Sequence, residues 1–436
     1  MAPAKHNRQY DLVVFGATGY TGKYTAEHIA TNLPTDLKWA VAGRSSSKLE
    51  ELVGELKALN PDRTQPNVEV CNLSDEDLSA LAKKTYILIT TVGPYHKYGE
   101  HAFKACAEKG THYLDVTGES AWVAKMIGKY QSVAESTGAK MFPQIGVESA
   151  PSDLVTYSLA SVVRSQLPGQ PKLGPTTVSI YKFKGAPSGG TLATVMTIRD
   201  SFTLKELSDP MKPYALSPVP HPRSASTPAL EPPSSSLFTK LTGLVKLPIL
   251  GLHTTSLPAA TDRAQVHRTW GLFESGIVSQ PSYGPNFSWR QQLRTKNFWS
   301  GITFHYSLVL FGLLFVVPSF VRKLAAKVLV AHQPGQGPDV SKAKDNYLEY
   351  RGTAVPDLGD KSGENKKRGY CRIWFHGDAY HLTGVFMAEA AATLLFDDSA
   401  QRLPGGVLTP ACLGQDYVDR LDHAGLHFET KIVDEE

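Results

Sequence analysis

The tightest constraint on this chain is the run Gly16-Ala17-Thr18-Gly19-Tyr20-Thr21-Gly22. It closes an apolar stretch, Tyr10–Gly16, and opens an amphipathic one carrying Ala26, Ile29, Ala30 and Leu33 before Pro34. Glycines let the backbone turn tightly and come close to a pyrophosphate, and a helix starting there offers free N–H groups and the positive end of its dipole. A tight turn without a ligand would use the same residues. The strand before and the helix after are what favour a dinucleotide loop.

The segment from Tyr10 to about Leu154 repeats this alternation. Strand-like runs are Tyr10–Gly16, Trp39–Gly43, Asn67–Leu73, Tyr86–Val92, His112–Gly118 and Lys140–Gly146, several apolar nearly throughout, as strands covered on both faces are. Between them, Leu49, Leu52, Val53, Leu56 and Leu59 recur at helical spacing behind a Ser47/Glu50 capping box, and Ser74 opens a helix with Leu78 and Leu81 on one face. Six strands alternating with helices predict an α/β fold, a Rossmann doubly wound parallel sheet, over residues 1–165.

After Ser165 the pattern changes. A strand at Thr177–Lys184 leads through Gly185-Ala186-Pro187-Ser188-Gly189-Gly190-Thr191 into a helix-like stretch near Leu192–Leu204. Prolines and serines crowd residues 206–260, which read as an irregular excursion, and His332–Arg368 is polar and glycine-rich. Regularity returns with a strand at Tyr370–His376 and a helix at Val385–Phe396.

The end of the second strand selects the cofactor. A carboxylate there would hold the ribose hydroxyls of NAD, whereas an arginine meets the 2′-phosphate of NADP. Here the residues are Gly43-Arg44-Ser45-Ser46-Ser47, so NADP(H) is expected, with Arg44 as the planar charged fork and Ser45 adding a hydroxyl. Asn72, ending the third strand, is placed to meet the adenine. Thr91-Val92-Gly93-Pro94-Tyr95 occupies the edge facing the nicotinamide half, although an ordinary strand-ending turn accounts equally well for Gly93 and Pro94.

Composition excludes other classes. A net charge of +4 over 436 residues is too slight for a nucleic-acid surface, so no nucleic-acid partner is expected. Cys71, Cys106, Cys371 and Cys412 form no CxxC pair, which argues against a zinc site or disulfide scaffold and for a reducing compartment. The opening residues hold no apolar core of a secretory leader.

The stretches VVFGATGYTG, WAVAGRSSSKL, VGPYHKYGEHAFKACAEKGTHYLDVTGE and GGVLTPACLG are similar to the saccharopine dehydrogenase-like oxidoreductases, a grouping that includes animal and fungal lipid-droplet homologues and mycobacterial trans-acting enoyl reductases. The resemblance implies a Rossmann domain with an inserted mixed α/β domain, here residues 166–404, and a last helix, within residues 405–436, returning to the first domain from Thr409-Pro410 through Ala411 to Leu421. It places Gly16, Thr18, Gly19, Tyr20, Thr21 and Gly22 on phosphates and Arg44 with Ser45 at the adenosine end. Saccharopine would want clustered arginines that the second part lacks, so a lipid or lipid-linked substrate is expected.

Hydride delivery needs an oriented acceptor and often a proton donor. No tyrosine has a lysine four positions later, and no metal-ligand cluster replaces that pair. Tyr95, His96 and Tyr98 follow the fourth strand; Tyr95 and Tyr98 are the candidate acids, each equally readable as pocket wall. Ser188–Thr191 lines the substrate side or is a plain turn.

Lys296 to Arg322 encloses no formally charged side chain, and residues 298–321 are strongly apolar with Arg322, Lys323 and Lys327 behind them. A buried core helix fits that length, but the aromatic and basic flanks favour a lipid surface. The expectation is a hairpin dipping into one leaflet, at the cytosolic face of a lipid droplet or the endoplasmic reticulum. Two functions follow: reduction of a lipid-linked enoyl or carbonyl group, or non-catalytic NADP(H) binding at a lipid surface.

Overall fold

Leu12 and Val14 on one side of the first strand, and Val13 and Phe15 on the other, enter two separate apolar cores. Only a strand sandwiched between helical layers buries both of its faces. In the computed structural model, which describes residues 4–184, 194, 196–222, 236–313, 346–359 and 366–435, that strand is β1 (Tyr10–Phe15) at the middle of a parallel sheet. After it come α1 (Tyr20–Asn32), β2 (Trp39–Gly43), α2 (Ser46–Leu59), β3 (Asn67–Val70), α3 (Asp75–Lys84), β4 (Thr85–Thr90), α4 (Glu100–Lys109), β5 (His112–Asp115), α5 (Ser120–Thr137), β6 (Lys140–Phe142) and α6 (Ala150–Gln166). The expected doubly wound sheet is borne out, with a seventh strand: its order is β13-β6-β5-β4-β1-β2-β3, where β13 (Gly406–Val407) pairs in parallel with β6. The order reverses between β1 and β4, which opens the ligand crevice of such folds at their carboxyl ends.

Helix starts follow local chemistry. The Ser74 hydroxyl accepts from Asp77 N–H and caps α3, as expected. The Ser47/Glu50 box does not form, because α2 is capped two residues earlier, at Ser45, and Ser46 donates to Glu50 instead.

The second sheet runs β14-β12-β11-β7-β10-β9-β8 and is antiparallel except for the β7–β10 pair. Its members are β7 (Lys172–Lys184), β8 (Val245–Leu247), β9 (Gly251–Thr254), β10 (Ser288–Arg294), β11 (Tyr347–Asp357), β12 (Lys367–His376) and β14 (His427–Asp434). Helix α6, buried along most of its length, carries the chain from the first sheet onto the second. Between β9 and β10 lies α7 (Ala259–Glu274); after β10 comes α8 (Phe298–Leu313); after β12 come α9 (Ala379–Phe396) and, past β13, α10 (Gly414–His423).

Four expectations need correction. Residues 206–260 are not uniformly irregular: among the described residues they hold β8 and β9, because Pro248 sits in the turn between the two strands and Pro258 caps α7. The polar stretch His332–Arg368 contains β11, an eleven-residue strand with Glu349 buried against Arg351 and Arg372. The helix at Val385–Phe396 belongs with the first domain: as α9 it packs on α1. The last helix does lie against α9, but it begins later than expected, as α10 after a 3-10 turn at Pro410–Leu413, and it is followed by β14, which pairs with β12 in the second sheet. The helix near Leu192–Leu204 falls partly outside the described residues; those described are helical at Thr194, Met196 and Thr197, pass into a 3-10 turn at Ile198–Asp200, and are followed by a Thr203-capped helical turn at Leu204–Ser208.

Among the described residues one helix, α9, is long and apolar enough to cross a membrane, but 83% of it is buried within the protein. All four cysteines are buried and unpaired.

The two sheets are joined at Arg268 of α7. Its guanidinium, 4% exposed, donates to the carbonyls of Val407 (2.5 and 3.2 Å) and Leu216 (2.7 Å) and to Gln131 Oε1 (3.0 Å). Nearby, Asp153 accepts from Thr269 Oγ1 (2.7 Å) and Ala411 N–H (2.9 Å). Each buried acceptor left without a donor costs about 1–3 kcal/mol. Arg268→Met is therefore expected to lower the unfolding free energy by about 3 kcal/mol, read as a shift in urea midpoint. An unchanged midpoint would mean that the sheets are held together elsewhere.

Candidate active site

The crevice between β1 and β4 is shaped by the absence of side chains. Gly16 has φ +85°, and a Cβ there would stand 2.7 Å from Val92 Cγ2 and 2.8 Å from Thr91 Oγ1. A Cβ on Gly22 would lie 2.2 Å from the Gly16 carbonyl, so α1 can approach the loop only with glycine there. Gly19 caps α1 without a side-chain bond, and the first turn holds no carboxylate. Free N–H groups at the positive end of a helix, in a cradle that glycines keep open, fit a pyrophosphate. Thr18 is exposed at the rim and Thr21 partly so. The Tyr20 ring packs edge-on against Tyr24 and Tyr380, which makes it a wall between α1 and α9.

Arg44 stands exposed after β2 and, among the described residues, bonds no protein group. Ser45 caps α2, its hydroxyl 3.2 Å from that of Ser47. Both sit where a 2′-phosphate would lie. Asn72 is differently employed than expected: its amide and its backbone N–H both donate to Asp77 Oδ2 at 2.9 Å, leaving only its side-chain carbonyl for an adenine.

At the nicotinamide half, Thr91 Oγ1 donates to the Gly16 carbonyl (3.0 Å), tying the ends of β1 and β4 together. Val92 and Gly93 line this edge, the Gly93–Pro94 peptide is cis, and Pro94 caps a single turn at Tyr95–Tyr98. The two candidate acids do not converge. Tyr95 is buried, its hydroxyl donates to the Thr90 carbonyl (2.9 Å), and burial pushes its ionisation well above the ordinary range. It is a wall and a strand tie, and no proton leaves it readily. Tyr98 faces solvent at 42% exposure. Ser188–Thr191 lie outside the described residues.

What does converge are three carboxyl groups that the sequence reading left without roles. Glu119, after β5, accepts from the N–H groups of Tyr95 and His96 at 2.8 Å each, and His96 Nδ1 lies 2.8 Å from its Oε2. The His96 side chain is wholly enclosed, with Thr197 Oγ1 3.2 Å from its Nε2. Asp115, at the end of β5, accepts from Tyr113 Oη (2.8 Å), Thr117 N–H (2.9 Å) and Gln144 N–H (3.0 Å); burial nevertheless pushes its acid up to about 7. Gln144 takes φ +61°, a left-handed backbone that costs energy for any residue with a Cβ, and the bond to Asp115 helps hold it.

Glu148, after β6, is reached by solvent, yet protein surrounds it on its other sides; this crowding, with the charge of Glu119, pushes its acid up to about 7. Among the described residues its carboxyl bonds no protein group. A Cβ on Gly118 would stand 2.0 Å from Glu148 Oε2, so the carboxyl lies directly over that glycine. The sequence signal was present in the run ending Thr117-Gly118-Glu119 and in Glu148 just past the sixth strand.

Gly19→Val sets a branched side chain into the cradle, 3.2 Å from the Gly16 carbonyl at its Cβ, while leaving the helix backbone room. It should abolish NADPH binding with little change in the melting temperature. Arg44→Ala should erase a preference for NADPH over NADH of at least about tenfold, or about 1.4 kcal/mol. Isothermal titration with both nucleotides checks both, and equal affinities in the unaltered protein would refute the role of Arg44.

Residues 12–141 match the family model described as the saccharopine dehydrogenase NADP binding domain. Over 440 residues the chain is 29% identical to a trans-acting enoyl reductase of Mycobacterium leprae, covering 98% of each. A trans-acting enoyl reductase of Mycobacterium tuberculosis is 28% identical over 438 residues, again with 98% of each covered. The structure of apo saccharopine dehydrogenase (L-Glu forming) from Saccharomyces cerevisiae aligns over 97% of this chain and 100% of that one, at 11% identity and a TM-score of 0.48. The resemblance read from the sequence is borne out, and the nucleotide of the N-terminal domain is NADP(H).

Proposed function

We propose that this chain, an oxidoreductase whose N-terminal domain is of the saccharopine dehydrogenase NADP-binding type, reduces the carbon–carbon double bond of a lipid-linked enoyl substrate at a lipid surface. The observation that carries the reduction is the glycine cradle at the β1/β4 switch, with Glu119, His96 and Glu148 gathered past the ends of the strands beside it. The enoyl reductases similar to it along nearly their whole length support the choice of an unsaturated acyl acceptor. NADPH should lose its absorbance when long-chain α,β-unsaturated acyl thioesters are added, and the product should gain two mass units of hydrogen. Tight NADPH binding with no turnover of enoyl or carbonyl acceptors would instead favour a non-catalytic nucleotide-binding protein.

The lipid surface is supported by α8. Its described residues carry no charge, and Gly301 alone among them is buried, while Trp299 is 73% and Leu310 68% exposed. A short helix at Leu237–Thr242 lies alongside: Phe238 meets Phe298, Tyr306 donates to the Leu241 carbonyl, and Leu237 is 73% exposed. Apolar faces of this kind on two neighbouring helices, with Lys240, Lys246 and Lys296 around them, suit a monolayer bearing anionic headgroups. Topology supports the hairpin: β10 and β11 both pair with β7, so the chain leaving after Arg294 is back in the same sheet by Tyr347. One crossing of a bilayer between them would tear that sheet apart. The surface in question is the cytosolic face of a lipid droplet or the endoplasmic reticulum. The intact protein should float with vesicles or droplets, and a Leu237→Glu, Trp299→Glu, Leu310→Glu variant should remain in the soluble fraction. Protease should reach tags at residues 1 and 436 equally on intact membranes; protection of the second tag alone overturns the hairpin.

A further inference from the structure

We infer that Glu148 is the proton donor of this site, and that Gly118 is glycine because the donor's carboxyl rests on it. The inference deepens the reduction proposed above and rests on it. Three placements carry it. Glu148 follows β6, whose neighbour is β5 and, one strand further, β4, on the side of the switch that faces the nicotinamide half of such crevices. Of the polar groups gathered there, Tyr95 is committed to the Thr90 carbonyl, His96 is enclosed between Glu119 and Thr197, and Asp115 accepts three bonds from the protein. Glu148 alone of these combines solvent access with a carboxyl that no described protein group holds. Its field is acidic from both domains: Glu119 raises it, and Asp262 of α7 and Tyr350 of β11 in turn sense its charge. Such surroundings keep a carboxylic acid protonated near neutrality, the state a general acid needs.

The step balances. Glu148 gives the proton of its carboxyl O–H to the α carbon of the enoyl group as the β carbon receives a hydride. NADPH, when bound, supplies that hydride and leaves as NADP⁺. Two C–H bonds form, the C=C π bond, the carboxyl O–H and the donor C–H break, and water returns a proton to the Glu148 carboxylate. Because the acid form is the active one, kcat holds steady below pH about 7 and falls about tenfold per pH unit above it.

Gly118 provides a test that leaves the charge in place. A methyl at residue 118 would collide with the Glu148 carboxyl, the free end of a flexible side chain, so Gly118→Ala folds but turns the carboxyl away. Glu148→Gln should lower kcat about a hundredfold and remove the fall above pH 7, with the NADPH dissociation constant within about twofold of the starting value. Gly118→Ala should lower kcat about tenfold while keeping a titration. Independently of turnover, the component of the protonated-carboxyl infrared absorption that Glu148→Gln removes from the nucleotide-free protein should titrate near pH 7 and be displaced in Gly118→Ala, while the components of Asp115, Asp153 and Asp262 remain. Wild-type kcat and pH profile in Glu148→Gln, or a carboxyl band unchanged by both substitutions, overturns the inference. If the unaltered protein binds NADPH and reduces nothing while the band behaves as described, the reduction itself is what fails, and the donor role falls with it.

Discussion

A guanidinium without a carboxylate partner holds the two halves of this protein together. Arg268 is almost wholly withdrawn from water, and burial lowers its pKa to about 10, so its charge is held chiefly by carbonyl dipoles and one side-chain amide. Those acceptors come from β13, from the loop before α7, and from α5. Arginine suits this role because its planar fork can reach several fixed oxygens at once, which a lysine could not. With α7 anchored in that way, the second sheet, which α7 contacts through β10, is tied to β13 at the edge of the first.

The consequences run into the site. Asp262 and Asp153, both buried beside that joint, have acids pushed up to about 7 by burial, as has the buried Asp115. Two domains meeting over polar residues therefore create a zone where carboxyls resist ionising. A single open sheet edge could not do so, since water would solvate each carboxylate from one side.

How far the sequence was readable follows the same physics. The first sheet was legible because strands such as Val13–Phe15 bury every residue, leaving an uninterrupted apolar signature. The glycine cradle was legible because it is contiguous. The second sheet was not: β11 mixes Glu349, Arg351 and apolar residues, its charges neutralised only after β12 brings Arg372 alongside, and β8 and β9 are too short for a period to show. β14 pairs with a strand some sixty residues earlier and looks polar in isolation. The carboxyl cluster was hidden for another reason: Glu119 and Glu148 follow two different strands, and a place just past a strand does not announce that the two carboxyls will be crowded together.

The four buried thiols turn the architecture into its own strain gauge. Burial holds Cys71 and Cys412 near about 12, and the thiols of Cys106 and Cys371 are pushed up as well, so none reacts with an electrophile while its surroundings stay closed. Each samples a different unit: Cys71 the edge beyond β3, Cys106 the helical layer, Cys371 the second sheet, and Cys412 the seam beside Asp153. Their labelling rates would rank the free energies of opening part by part. A seam that breathes before either sheet would mean that the two halves separate as rigid bodies, exposing the crevice without unfolding its walls.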